Sequence, residues 1–393
     1  MTEVLYKDAT EAQKPAVLAQ LRQQFAETAA LYDREGRVAE DNFAILHRHG
    51  LTGLTIPKAR GGLGAGLGES AQVIRAIAGG EPSTALILIM QCIVHNDPDG
   101  RDRWPEHLRR QLERDALERG ALANALRVEP ELGTPARGGL PASIARKVSG
   151  GWRVSGHKLF STGSPVLSYM LVWARTEGDD PQVGYFLVPA GSDGVRIEPT
   201  WRHLGMRASG SHDVIFDEVF IAEDHAVDIR APKAWNEESP ILMAWMVGLM
   251  GALYDGVAHA ARDWFVAFAH NRKPANLGAS LSTLYRYQEL LGRIEAKLLS
   301  NRILLDDLNR RIDAGTFVSA SEALLIKYLV SDQVIDAVSI ALEATGNPGL
   351  TQNNDLERHY RDVLCSRAHA PQNDSILTLA GRTGFAAYPK DLS

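Results

Sequence analysis

Cysteine is nearly absent: Cys92 and Cys365 are the only two in 393 residues. A disulfide framework is excluded, and so is a zinc centre built on several thiolates. Thiols this sparse suit the reducing cytosol, so a cytoplasmic location is expected. Charge of one sign is also lacking. Forty-two Lys and Arg stand against 48 Asp and Glu, a net charge of −6. No general basic surface is available to neutralise phosphates, and nucleic acid is not an expected partner. Long apolar runs are scarce. The run 85–90, even extended to Val94, falls far short of the roughly 20 residues a membrane span needs. The stretch 240–256 is longer, but it carries Asp255 and continues as VAHAARDWF. It reads as a buried helix of a large helical domain, and no membrane contact is expected. The opening MTEVLYKDATEAQKPAVLAQ has no basic start, apolar core or small-residue cleavage site, so it does not read as a signal peptide.

What is present is the composition of a soluble globular enzyme, 45% hydrophobic and 23% charged. The length allows two or three domains. Residues 10–50 place Val17, Leu18, Leu21 and Phe25, then Phe43, Ile45 and Leu46, at helical spacing. A glycine-rich loop runs from His49 to Gly66, and GGEPST at 79–84 reads as a helix end followed by a new cap. Residues 1–120 are therefore expected to form an all-helical N-terminal domain. From 121 to 234 the pattern becomes short β runs. Gly150-Gly151 between two of them is a hairpin signal, and no helix intervenes, which disfavours a parallel βαβ sheet. A small central barrel or sandwich is expected there. Residues 235–393 return to helical periodicity over QELLGRIEAKLLSNRILLDDLNRRI, and the run SASEALLIKYLVSDQVIDAVSIALEAT opens on a Ser cap and ends at Gly346. These read as a C-terminal helical bundle, and the whole as an α+β multidomain chain.

Motifs that carry chemistry on their own are missing. No GxGxxG follows a strand, and GGLGAG at 61–66 reads as a plain loop. There is no GxxxxGK[ST], no HExxH and no GxSxG. His47 and His49 are two apart, face different directions on a helix and read as a solvated pair, not a metal site. No metal is expected, and the chemistry falls to an organic cofactor.

Several segments in order support one family. GLTGLTIPKARGGLGAG, ALRVEPELGTPA at 125–136, GGWRVSGHKLFSTGS, HLGMRASGSHDVIFDEVFI and GNPGLTQNNDLERHYRD resemble the successive motifs of the acyl-CoA dehydrogenase superfamily, with Gly346 and Arg361 15 residues apart as its pattern requires. The resemblance implies a helical domain, a small β domain and a C-terminal four-helix bundle around a flavin. FAD is the implied form and FMN the alternative. Carried over position by position, Val128, Gly133 and Thr134 would line the flavin and its pyrophosphate. Phe160, Ser161 and Thr162 would sit against the ring, with the Thr162 hydroxyl near its redox-active edge. Arg272 would reach the diphosphate from a neighbouring subunit, and Gln288 matches the Gln that follows it. Here the gap between those two is longer than usual and the Phe of the motif is absent. Gly346 would allow close backbone approach, and Gln372 and Asp374 are assigned to the cofactor. A homodimer or homotetramer is implied.

The chain departs from the family at the base. Dehydrogenation of a thioester needs a carboxylate to remove the α-proton, and counting from Arg361 puts Ala370 at that position. A minority of the family takes its Glu from the first helix of the C-terminal domain, where Met246 or Val247 stands here; the nearest carboxylates are Glu237, Glu238 and Asp255. The segment RAHAP at 367–371 is similar to the His-x-Pro arrangement of the flavin monooxygenase branch, of dibenzothiophene monooxygenase type. His369 would then hold a proton or orient substrate, with an unperturbed pKa near 6.5. Ser164, with Ser168 behind it, and Met246 are candidate substrate contacts. The implied function is flavin-dependent oxygenation, or an atypical oxidation of an acyl thioester or small apolar molecule, with a flavin reductase as a possible partner. An acyl-CoA dehydrogenase with a displaced base and an inactive flavin-binding scaffold are the alternatives.

Overall fold

In the computed structural model, residues 3–96, 103–131, 139–235 and 239–386 are described. The chain divides into two compact units. One comprises Met1–Gly66, Ser83–His203 and Arg207–Leu242; the other comprises Leu67–Pro82, Leu204–Met206 and Met243–Ser393.

The first unit carries helices α1 (Lys14–Glu35) and α2 (Glu40–Arg48) and, after the second unit's α3 (Leu67–Ala78), α4 (Pro82–Asn96) and α5 (Glu106–Arg119). Pro15 opens α1 where its missing N–H costs nothing, and Gly36 ends it in the left-handed region at φ 63°. The GGEPST segment does separate α3 from α4. The histidine pair differs from expectation. His49 is 2% exposed and its Nδ1 accepts the Tyr6 N–H at 3.1 Å, while His47 Nε2 lies 2.9 Å from the Leu117 carbonyl. Both rings serve as internal polar fasteners because chain turns distant in sequence bring backbone partners to them.

Eight strands follow: β1 (Leu122–Leu126), β2 (Ile144–Val148), β3 (Gly151–Ser161), β4 (Leu167–Thr176), β5 (Val183–Pro189), β6 (Val195–Glu198), β7 (His212–Ala222) and β8 (Ala226–Arg230). They form one sheet in the order β6-β7-β3-β2-β4-β5-β8, with β1 pairing β4. The β2–β3 hairpin turns at Gly150, φ +78°, and a Cβ on Gly151 would fall 2.1 Å from the Ile221 carbonyl. Most pairings are antiparallel, but β4 runs parallel to both β1 and β2. Val172, Trp173, Phe186 and Val188 are buried on β4 and β5, whose apolar runs are covered on both faces.

The second unit is a helical bundle: α3, α6 (Pro240–Asn271, from Met243 onward), α7 (Tyr285–Asp313), α8 (Ala320–Thr345), α9 (Asn347–Leu350), α10 (Leu356–Ala368) and α11 (Asn373–Ala386). Ser319 caps α8 by accepting the Glu322 N–H at 3.2 Å. Asp313 receives the N–H groups of Leu67 and Gly68 at the start of α3, at 2.6 and 2.9 Å. A Cβ on Gly256 would fall 2.3 Å from the Arg75 carbonyl, so only glycine lets α6 approach α3 this closely. Leu253, Val257 and Phe265 of α6 are buried, as are Leu298 and Leu305 of α7 and Val334 of α8, and these side chains fill the core of the bundle. Helix α6 is long and apolar enough to cross a membrane by length and composition, and 72% of its most apolar window is buried inside the protein.

Candidate active site

Two places concentrate polar chemistry, one in each unit. In the first unit it is the end of β3. Phe160 adopts φ +53°, a left-handed backbone rare for an aromatic residue, and its side chain is 54% exposed. The ring meets Trp201 and His203 edge-on, at centroid distances of 6.2 and 5.9 Å, and those two rings stack at 3.5 Å. The next residue, Ser161, is 1% exposed, and its hydroxyl has no hydrogen-bond partner among the described residues. Thr162 follows half-buried, its Oγ1 3.0 Å from Ser211 Oγ, which lies 2.7 Å from Ser209 Oγ. Asn124 donates to the Thr162 carbonyl at 3.0 Å, and the Val128 carbonyl accepts the Leu159 N–H at 2.9 Å. An exposed aromatic surface, a hydroxyl fixed by a hydroxyl chain and a buried orphan hydroxyl suit a large planar heterocycle with polar edges. The flavin expected there fits these residues. Gly133 and Thr134 lie outside the described residues. Ser164 is buried, with its hydroxyl on the Gly210 carbonyl at 2.8 Å; Ser168 is exposed.

In the second unit a small cavity, part of it open to solvent, lies between α6, α8 and the end of α10. Met243, Met246, Met250 and Tyr254 line it from α6, at the helical spacing that puts them on one face; Lys327 and Val330 come from α8. His369, at the C-terminal end of α10, completes it with Ala370 and Pro371. Among the described residues, none that lines it carries a carboxylate. Asp255, one residue past Tyr254, is fully buried elsewhere, ion-paired with Arg75 at 2.9 Å and accepting from Asn301 Nδ2 at 3.2 Å. Glu237 and Glu238 lie outside the described residues.

Burial sets the protonation states. It pushes His369 down to about 4, helped by the nearby Lys327 charge, so the ring is neutral at pH 7. Burial, with Cys365 and Asp362 nearby, holds the Tyr254 phenol well above its ordinary range. Lys327 is lowered to about 8 by burial. Its ammonium donates to the carbonyls of His369 and Pro371 at 3.1 and 3.0 Å and to Asn373 Oδ1 at 2.8 Å. Two of the three bonds tie down the backbone at the histidine and two residues after it.

The remaining assigned residues are spread over the helical unit. Arg272 is exposed just past α6, and its guanidinium has no partner among the described residues. Gln288 is exposed near the start of α7 and donates to the Ser282 carbonyl at 3.1 Å. Gly346 ends α8 with φ +61°; Gln372 and Asp374 are exposed around the start of α11. Sequence reasoning missed Tyr254, Lys327, Ser211, Trp201 and His203. Two of them left a signal: Lys327 interrupts the apolar run LLIKYLV, and Tyr254 continues the Met243, Met246/Val247, Met250 spacing.

Comparison with known proteins agrees across the chain. The acyl-CoA dehydrogenase N-terminal domain matches residues 7–98, the middle domain 127–219 and the C-terminal domain 249–373. A putative acyl-CoA dehydrogenase of Bacillus subtilis, YdbM, is 31% identical over 92% of this chain and 93% of its own length. L-evernosamine nitrososynthase of a Micromonospora species is 28% identical over 90% of this chain and 86% of its own. The solved structure of KijD3 in complex with FMN and a dTDP-linked amino-keto sugar superposes with a TM-score of 0.75 at 25% identity, covering 99% of this chain and 98% of the other. With all three domains matched in order and a relative 31% identical over nearly the whole chain, this protein belongs to the acyl-CoA dehydrogenase family and is a flavin-dependent oxidoreductase.

Proposed function

We propose that the protein is an oxygenase of this family: it uses reduced flavin and oxygen to oxidise a small, uncharged, largely apolar substrate. A bound flavin supplies two-electron redox chemistry and, once reduced, reacts with oxygen. One oxygen atom goes to the substrate and the other leaves as water, with both electrons delivered to the flavin by a separate reductase. The observation that carries this reading is the cavity beside His369, whose lining includes three methionines and, among the described residues, no carboxylate. Removing a proton α to a thioester requires a base, and a histidine held near pKa 4 is a poor one. A mostly apolar lining without a carboxylate suits oxygen chemistry better. The similarity to a nitrososynthase supports the same direction.

Phe160, Ser161 and Thr162 hold the flavin ring in this reading, with Thr162 Oγ1 oriented by Ser211 toward its polar edge. The cofactor is taken to be FMN. The dinucleotide form would draw on Arg272 at its diphosphate and on Gln288, and the Gln288 amide is engaged with the Ser282 carbonyl. The FMN in KijD3 supports the choice. Chromatography of the flavin released by acid from the purified protein is expected to give FMN; release of FAD would reverse the assignment.

The reaction class is tested by anaerobic titration of the flavin-loaded protein with short- and medium-chain acyl-CoA. No bleaching of the oxidised flavin band is expected. Supplying reduced flavin with oxygen, across a panel of aromatic and sulfur-containing apolar compounds, is expected to yield a product one oxygen heavier. Stoichiometric bleaching by an acyl-CoA would instead establish a dehydrogenase with a displaced base.

A further inference from the structure

We infer that Tyr254 is a positioning residue that fixes His369 in a single tautomer, with Nδ1 accepting from the phenol and the ring proton on Nε2, directed at the cavity. This builds on the oxygenase reading, because it makes His369 a hydrogen-bond donor to substrate or oxygen and removes it as a candidate base.

Tyr254 Oη lies 2.8 Å from His369 Nδ1, with the rings 5.7 Å apart and inclined by 47°. Either atom could carry the shared proton, and a count of donors and acceptors decides which one does. Tyr254 is 3% exposed, and its hydroxyl has no other hydrogen-bond partner among the described residues. If Nδ1 carried the hydrogen, the phenol oxygen would accept it and the phenol O–H would be buried with no acceptor. A buried donor left in that state is disfavoured. If the phenol donates, both groups are satisfied by one bond. The neutral imidazole must then hold its proton on Nε2.

Surrounding groups keep this arrangement in place. Asp362 and Cys365 on α10 disfavour a phenolate at Tyr254. The Lys327 ammonium disfavours a second proton on the ring, while its three hydrogen bonds hold the chain from the histidine to Asn373. His369 Nε2 has no protein partner among the described residues, and His369 lines the cavity. Nε2–H is thus a neutral donor in a mostly apolar lining that also carries Lys327 and the Ser331 and Ser366 hydroxyls. The ligand it suits is an uncharged molecule, or a reacting oxygen, that offers an acceptor atom. A negative charge developing on that atom would be stabilised by a donor already in position.

The test is two-bond proton–nitrogen NMR of the flavin-loaded protein carrying 15N-labelled histidine, His369 being assigned by its loss in His369→Gln. At pH 7 the wild type is expected to show a neutral ring, unprotonated at Nδ1 and protonated at Nε2. Tyr254→Phe, which removes only the hydroxyl, is expected to lose the single-tautomer pattern. A wild-type ring protonated at Nδ1, or an imidazolium at pH 7, overturns the inference; so does a Tyr254→Phe spectrum identical to wild type. Should Tyr254→Phe fail to fold, uniform 3-fluorotyrosine keeps the side-chain shape and acidifies the phenol. The Nδ1 resonance is then expected to move toward its hydrogen-bonded limit, and a stationary resonance sinks the proposal. None of these readouts depends on turnover, so the acyl-CoA titration can fail while the tautomer stands, and the reverse.

Discussion

Glu129→Ala is expected to destabilise the first unit by about 3–5 kcal/mol, the range for leaving one member of a buried ion pair without the other. Lys158 is 0% exposed and its ammonium sits 2.6 Å from Glu129 Oε1, with the Trp173 carbonyl as its second acceptor. Glu129, 1% exposed, also receives the N–H groups of Ala142 and Ser143 at 2.7 and 3.0 Å and the Ser143 hydroxyl at 2.6 Å. Burial alone would raise its pKa; the Lys158 charge and these hydrogen bonds outweigh burial and lower it. Alanine would strip the carboxylate from four donors at once. Lys158, already lowered to about 8, would lose its counter-charge and be driven toward the neutral form. Val128 precedes Glu129, and Phe160 comes two residues after Lys158, so flavin retention is expected to fall together with stability. Denaturant unfolding checks this, with Glu129→Gln, which keeps acceptor capacity, falling between alanine and wild type. An alanine variant within about 0.5 kcal/mol of wild type, the range of an ordinary surface change, would mean that the pair holds nothing together.

His369 is expected to make the helical unit acid-sensitive. Its folded pKa of about 4 lies below the unfolded value near 6.5. As pH falls, the unfolded chain therefore takes up the proton first, and acid favours unfolding. The contribution is fully present above about pH 6.5 and is lost progressively as pH falls toward about 4. Its ceiling is about 3 kcal/mol. Carboxylates titrate in part of the same window, so the informative quantity is a difference. Stability of wild type minus that of His369→Gln is expected to rise with pH between about 4 and 6.5 and to be flat above. Glutamine can still accept from Tyr254, so the constant offset between the two proteins stays small. A difference that does not vary with pH would show that the ring titrates normally.

Much of this molecule was readable before any coordinates. The Gly150-Gly151 hairpin, the GGEPST break and the Ser319 cap are local signals, set by backbone freedom and hydrogen bonding within a few residues, and all three stand in the structure. The parallel pairing of β4 with β1 and β2 was not readable, because nothing within a strand records which neighbour it takes. The histidine pair read as solvated for a related reason: its partners, Tyr6 and Leu117, are 43 and 70 residues away.

The candidate sites divide in the same way. Residue types and their order determined, with no help from tertiary structure, that the chain is a flavoprotein of the acyl-CoA dehydrogenase family; the resemblance also implied that Ala370, and Met246 or Val247, stand at the positions of a base. Only the folded structure decided which groups gather there. Tyr254 meets a histidine 115 residues further on, Lys327 binds carbonyls 42 and 44 residues away, and Asp255 turns to Arg75 instead of the cavity. Periodicity reports which face of a helix is apolar. It cannot report which polar group from another helix will meet that face, because hydrogen bonds and ion pairs depend on distances of a few ångströms fixed by packing of the whole unit.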